Sequence, residues 1–324
     1  QKEANYRISI NENVLLCAHT GSGKTVPAIY GIAHAFKNNK KVIYTSPIKT
    51  LSNQKYDELK KLFDNVGIMT GDIKKNPEAQ CLIMTTEILR NILYRNENSD
   101  NTDAMKYDIH PSEIGVVIFD EVHYFNDPDR GKVWEETIVL LDRDVSLIML
   151  SATIDKPENF ASWIGNMKQK NICLIPTNHR VVPLKHYMLK DKELIPLIEN
   201  KNFVNFDKIS EKYNPIRADK ILNNVAEYLN SSGYTPALFF KYSRVKCEEF
   251  AKNIRINLLT AEEIILIKNE FNKLIQKFKD IYQHLEQYIT VEKLLMKGIA
   301  FHHSGLIPIL KETVEILYGM GLIK

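Results

Sequence analysis

Six short apolar runs, each followed by an amphipathic stretch, constrain this chain more than any other feature. They are NVLLCA at 13–18, KVIYTS at 41–46, CLIMTT at 81–86, VVIFDE at 116–121, LIMLSA at 147–152 and NICLIP at 171–176. Each is β-rich and nearly continuous in apolar residues, the pattern of strands buried on both faces of a parallel sheet. Stretches between them, such as AIYGIAHAF and NQKYDELKKLF, carry helical spacing. Strand and helix in alternation predict an α/β, doubly wound parallel sheet. Ligands of such sheets bind beyond the carboxyl ends of the strands, which is where chemistry is to be sought.

The pattern breaks near 176–215, where Pro176, Pro183, Pro196 and Pro215 punctuate a polar stretch. With 324 residues, the chain is long enough for about two domains. The break predicts a first domain over 1–180 and a linker plus second domain over 181–324. Within the second, a helix is expected near 217–230, a strand at 237–243 (ALFFKYS), and a helix from about 244. A charged helical insertion follows at about 255–297, then a strand and turn at 298–305 and a helix near 307–318.

Composition excludes several classes. The net charge of +3 is too small to argue for nucleic acid by itself. Cys17, Cys81, Cys173 and Cys247 are far apart and form no CxxC, which suits a reducing compartment and no structural metal. No apolar run approaches the ~20 residues of a membrane span, and no signal peptide opens the sequence. A soluble, intracellular protein is expected, with nucleus and cytoplasm both open.

Two motifs carry chemistry. The first, Ala18-His19-Thr20-Gly21-Ser22-Gly23-Lys24-Thr25, follows the first strand and opens a helix. It fits the P-loop pattern with Ala18 in place of the first glycine. Gly21 and Gly23 let the backbone curl so that its N–H groups, with those of Thr20 and Ser22, face a phosphate. The helix start adds its positive dipole end. Lys24 supplies charge between β- and γ-phosphates, and Thr25 a hydroxyl to Mg2+, which implies ATP and Mg2+ as cofactors. The second motif, Asp120-Glu121-Val122-His123, ends an apolar strand with adjacent carboxylates. Asp120 is suited to holding Mg2+ and Glu121 to polarising an attacking water. Alone, the pair could equally be a strand exit capping the next helix. A P-loop upstream favours the catalytic reading.

P-loop, then Asp120-Glu121-Val122-His123, then Ser151-Ala152-Thr153 is an order that resembles superfamily-two DExH helicases. Further stretches narrow it: Asp129-Arg130-Gly131 with Trp134-Glu135-Glu136, Trp163-Ile164-Gly165, Val182-Pro183-Leu184-Lys185-His186-Tyr187, Tyr242-Ser243-Arg244, and Gly298 through Leu306. Together they resemble the superkiller-type, exosome-assisting RNA helicases. That resemblance implies two RecA-like domains, the second incomplete, and ATP-driven 3′-to-5′ translocation on single-stranded or 3′-overhang RNA, in RNA processing or decay. Exosome-type or adaptor proteins are the implied partners. It implies that Gln1 reads adenine, although a frayed, solvated terminus is the alternative. His123, Ser151 and Thr153 would couple nucleotide state to domain motion. Pro47, Lys49, Gln54, Thr85, Thr86, Tyr242, Ser243 and Arg244 would contact the nucleic-acid backbone. Hydroxyls and a lysine at strand ends suit phosphate oxygens and leave little to read bases, so sequence-independent binding is expected.

The family's later motifs, including arginines worth about 10³–10⁵ in rate in related P-loop enzymes, are absent from this sequence. A fragment ending inside the second domain is expected, one that binds nucleotide weakly and hydrolyses it poorly. Two alternatives stay open: a DNA-repair helicase of the neighbouring branch, and a nucleic-acid-binding remnant without catalysis. Adjacent His302 and His303 lack Cys or Asp neighbours in sequence and would face opposite ways in a strand, which argues against metal ligation.

Overall fold

Side-chain alternation along each strand builds the core. In β1 (Asn13–Ala18), Leu15 and Cys17 point to one face and Val14 and Leu16 to the other, and all are buried. β2 (Lys41–Ser46), β5 (Cys81–Thr85), β6 (Ile114–Phe119) and β7 (Ser146–Ser151) repeat the pattern. A strand flanked on both faces needs apolar side chains at both parities, which is why these runs are continuous rather than alternating. The computed structural model describes residues 1–71, 73–98, 109–152, 154–190, 193–199, 202–204 and 218–324. Thr153 and Pro215 lie outside these described residues.

Adding β3 (Val66–Met69), β4 (Lys74–Lys75) and β8 (Ile172–Thr177) completes an eight-stranded sheet of order β4-β3-β5-β2-β6-β7-β1-β8. Every pairing is parallel except β3 with β4. One layer is α1 (Lys2–Ser9), α2 (Thr25–Lys37) and α3 (Lys49–Lys60), packed through Ala4, Ile32 and Leu59. The other is α4 (Thr86–Asn98), α5 (Gly131–Leu140) and α6 (Pro157–Lys168), packed through Leu89, Trp134 and Ile164. The doubly wound α/β architecture expected from the sequence is observed. The strand pair β3–β4 is additional, since VGIM is short and glycine-interrupted and KK carries no apolar signal. The lysines of β4 sit exposed at the sheet edge, where charge discourages pairing with another chain.

Two compact units divide the chain, Gln1–Leu184 and Lys185–Lys324. The described residues of the proline-punctuated stretch carry regular structure. They form the antiparallel pairs β9 (Tyr187–Lys190) with β10 (Glu193–Pro196), and β11 (Ile198–Glu199) with β12 (Asn202–Phe203). The α-helices among the described residues of the second unit are α7 (Ala218–Ser231), α8 (Arg244–Asn253), α9 (Ala261–Ile275), α10 (Lys279–Tyr282), α11 (Glu286–Leu295) and α12 (Pro308–Gly319). Its own core gathers Leu222, Phe271, Val291, Leu295, Leu310 and Leu317.

The strands expected at 237–243 and 298–305 are not formed. Ala237 N–H donates to Lys324 O at 2.7 Å and Lys324 N–H to Gly298 O at 2.9 Å, but no ladder continues from either contact. An apolar cavity of about 470 Å³, lined by Leu238, Phe240, Ile299 and Phe301 among others, lies beside both segments. Without a neighbouring strand, these isolated backbone contacts do not extend into a ladder.

Candidate functional site

The first unit's parallel strands all end at one edge, and the loops there hold most of the residues singled out by the sequence. The strand order sets β7 between β1 and β6, so the loop after β1 and the loop after β6 are two strand spacings apart, about 10 Å. Cys17 pairs with Ser151 in register, and Phe119 with Met149, so these strands reach the edge together.

The loop after β1 is shaped by two glycines at φ +80° (Gly21) and +78° (Gly23), a conformation that other residues rarely adopt. A Cβ on Gly23 would lie 2.3 Å from Gln1 Nε2, and that amide instead donates to Gly23 O at 3.2 Å. Gln1 is therefore held against the loop, although it is exposed. Lys24 folds back, its Nζ donating to Ala18 O at 2.7 Å, and Thr25 begins α2. Thr20 is exposed, and Ser22 Oγ is buried without a hydrogen-bond partner.

Beyond β6, the Asp120 N–H donates to Thr45 O at 2.9 Å and continues the ladder by one step. The Asp120 carboxylate accepts from Tyr44 Oη at 2.6 Å through Oδ2 and from Glu121 N–H at 3.0 Å through Oδ1. Burial, then the neighbouring Asp120 charge, pushes the Tyr44 phenol well above its usual range. Glu121 adopts φ 53°, ψ 46°, a left-handed conformation that costs about 1–3 kcal/mol for a non-glycine residue. That turn ends the strand abruptly and starts a 3₁₀ segment, Val122–Asn126. His123 Nδ1 lies 3.2 Å from Glu121 Oε2, an ion-pair approach in which neither atom reaches hydrogen-bond geometry. At these angles the approach is a weak contact. Ser151 Oγ, fully buried at the end of β7, is likewise unpartnered.

On the other side of β6, the ends of β2 and β5 carry a second group. Ser46 and Ser52 hydroxyls lie 2.6 Å apart and fix the bend at Pro47, which is buried. Lys49 is exposed at the start of α3, and Gln54, one turn on, is bound to Glu58 at 3.0 Å. Thr85 and Thr86 close β5 and open α4, and Thr86 Oγ1 is buried without a partner. Glu87 pairs with Arg130 at 2.6 Å, tying this loop to the segment after Glu121.

Tyr242, Ser243 and Arg244 belong to the second unit. Tyr242 and Arg244 are exposed, and Ser243 caps α8 by accepting from Lys246 N–H at 3.4 Å. His302 and His303 take different carboxylates, Glu315 at 2.7 Å and Glu248 at 3.1 Å. Among the described residues no cluster of three or more metal-binding side chains occurs. Thus Lys24, Thr25, Asp120, Glu121, His123 and Ser151 meet at one edge with Pro47, Lys49, Thr85 and Thr86 beside them. Gln54 is turned to Glu58, and Thr153 lies outside the described residues. Tyr44 was missed by the sequence reading; its hydroxyl does not stand out in a run, KVIYTS, that also carries those of Thr45 and Ser46.

An orphaned serine, glutamate and histidine around a glycine loop and lysine form a donor and acceptor set that suits a triphosphate with a hard cation. Asp120 retains acceptor capacity on both oxygens, as a magnesium site requires.

Residues 1–160 match the family model described as DEAD/DEAH box helicase. The antiviral helicase SKI2 of Saccharomyces cerevisiae is 38% identical over 395 residues, covering 100% of this chain and 30% of the relative. The exosome RNA helicase MTR4 of Homo sapiens is 39% identical over 345 residues, covering 100% of this chain and 32% of the relative. The chain thus spans about a third of the length of the curated relatives it matches. Among solved structures, the helicase MrfA bound to DNA superposes with a TM-score of 0.61 at 16% identity, covering 99% of this chain and 40% of that one. At that identity the likeness speaks for the fold.

Proposed function

We propose, from the match of residues 1–160 to the DEAD/DEAH box helicase model, that this chain is the motor region of an ATP-dependent RNA helicase. The observation that carries the reading is the convergence of the β1, β7 and β6 ends. It gathers a P-loop, a buried orphaned serine and an acidic pair at one sheet edge.

In this reading Gly21, Ser22, Gly23 and Lys24 cradle the phosphates, with Lys24 exchanging Ala18 O for a phosphate oxygen. Thr25 and Asp120 hold Mg2+, which when bound neutralises charge on the β- and γ-phosphates. Glu121 orients and deprotonates the attacking water; its unpartnered Oε2 is available for that proton. His123 and Ser151, both with orphaned polar atoms, relay nucleotide state. Gln1, held at Gly23, contacts the adenine. Pro47, Lys49, Thr85, Thr86 and, from the second unit, Tyr242, Ser243 and Arg244 grip the phosphate backbone, with Gln54 beside them. Residues 1–180 then act as the RecA-like ATP-binding domain of the motor, with residues 181–324 as its linker and second domain. The names of SKI2 and MTR4, a superkiller-type and an exosome helicase, favour RNA as the strand and exosome-type or adaptor proteins as partners. No helix among the described residues is long and apolar enough to cross a membrane.

The test is ATP turnover with and without nucleic acid, using RNA and DNA duplexes that carry 3′ overhangs in competition. RNA is expected to stimulate turnover and to win. Stimulation by DNA alone would favour the DNA-repair branch, and no stimulation by either would leave a binding module.

A further inference from the structure

We propose that Tyr44 is a positioning residue for the metal: its buried hydroxyl fixes the Asp120 carboxylate in the orientation that receives magnesium. This rests on the reading of Asp120 as the magnesium-holding group.

Register and parity bring the two residues together. Tyr44 pairs with Ile118 across β2 and β6, so Asp120 is its diagonal neighbour, two residues on. Val116 and Ile118 share a sheet face with Tyr44, and Asp120 has the same parity. Diagonal neighbours on one face are within reach of a long aromatic side chain. Tyr44 is 0% exposed. Packing at such a position needs only a ring, and phenylalanine would supply it. A buried hydroxyl is costly without a partner. Its partner here is a carboxylate, at 2.6 Å, the range of a charge-assisted O–H···O bond.

The bond has a consequence for Asp120. Each carboxylate oxygen offers two acceptor sites. Tyr44 occupies one on Oδ2 and the Glu121 N–H one on Oδ1, so the carboxylate plane is pinned at both ends. One site on each oxygen remains for the metal or its waters. Without the tyrosine donor, only the backbone contact of Oδ1 holds the group, and the carboxylate is free to rotate about it. Hydrogen-bonded partners behind metal ligands are typically worth about 10–100-fold in metal affinity.

The experiment measures the Mg2+ concentration that half-saturates binding of a fluorescent ATP analogue, for the unaltered protein, Tyr44→Phe, Asp120→Asn and the double variant. Melting temperature is followed alongside. Tyr44→Phe should raise the required Mg2+ by about tenfold or more while leaving Mg2+-free nucleotide affinity unchanged. In the Asp120→Asn background the same change should add nothing, because its effect passes through that carboxylate. A purely structural role would lower melting temperature in both backgrounds without moving the Mg2+ requirement. An unchanged requirement in Tyr44→Phe, or an equal effect in both backgrounds, would overturn the proposal while leaving Asp120 as the metal holder. If Asp120→Asn itself leaves the requirement unchanged, the underlying reading fails first.

Discussion

Glu121 illustrates how a single residue can be shaped for a task. Its left-handed backbone and its orphaned Oε2 are both unfavourable for folding, and they coincide where a water-activating base is proposed. Glu121→Gln preserves size and backbone while removing the base. ATP turnover should fall by about 10²–10⁴ with nucleotide affinity within a few-fold of the unaltered protein, as read by paired hydrolysis and binding assays. A second residue outside the site makes a pH prediction. Lys168 is buried, donates to Leu141 O, and desolvation lowers its pKa to about 8. The folded pKa is below the unfolded one, so the unfolded chain binds more protons between about pH 8 and pH 10.5. Stability should therefore rise with pH through that window, by on the order of 3 kcal/mol, and Lys168→Met should remove that part of the slope in urea titrations. At this scale the sequence was legible where residues that act together are contiguous, as with Gly23-Lys24-Thr25 and Asp120-Glu121. Tyr44 escaped because its partner is 76 positions away and only the strand register joins them.

Elements were legible to the extent that burial wrote itself into the sequence. β1, β2, β5, β6 and β7 stand out as apolar runs because both their faces are covered, while the edge strand β8 is only half-buried. Extended segments in the second unit are equally apolar, yet 237–241 and 298–302 form no strands, since strand formation depends on a neighbour that local sequence does not encode. The turn into α5 was also invisible as a contact. Asp127 Oδ1 accepts from Asp129 N–H at 3.0 Å and Arg130 N–H at 2.9 Å, and a Cβ on Gly131 would lie 2.1 Å from Phe125 O. The obstacle is backbone, which cannot swing aside. Gly131→Ala should therefore destabilise the first unit by about 1–3 kcal/mol, measured by urea unfolding. It should also disturb the Arg130–Glu87 pair that links this turn to the Thr85-Thr86 loop.

For the whole molecule, two units with separate cores predict two unfolding transitions rather than one. A ligand that binds only folded protein stabilises the unit that holds it, by about 2.7 kcal/mol at a hundredfold excess over its Kd. The loop after β1 and the acidic pair both lie in residues 1–184, so Mg·ATP should shift the transition of that unit. Calorimetry in the presence and absence of nucleotide resolves this, and a shift of the other transition alone would contradict it.

The proposed function depends on a lysine and a threonine after β1 and two acids after β6 sharing one triphosphate–metal ligand at the sheet edge. Titration of a fluorescent ATP analogue, with and without Mg2+, against the unaltered protein and Lys24→Ala tests this most directly. Saturable, Mg2+-enhanced binding at one site that weakens at least about tenfold, the equivalent of about 1.4 kcal/mol, in Lys24→Ala is the expected result. Equal binding by both proteins, indifferent to Mg2+, would contradict it.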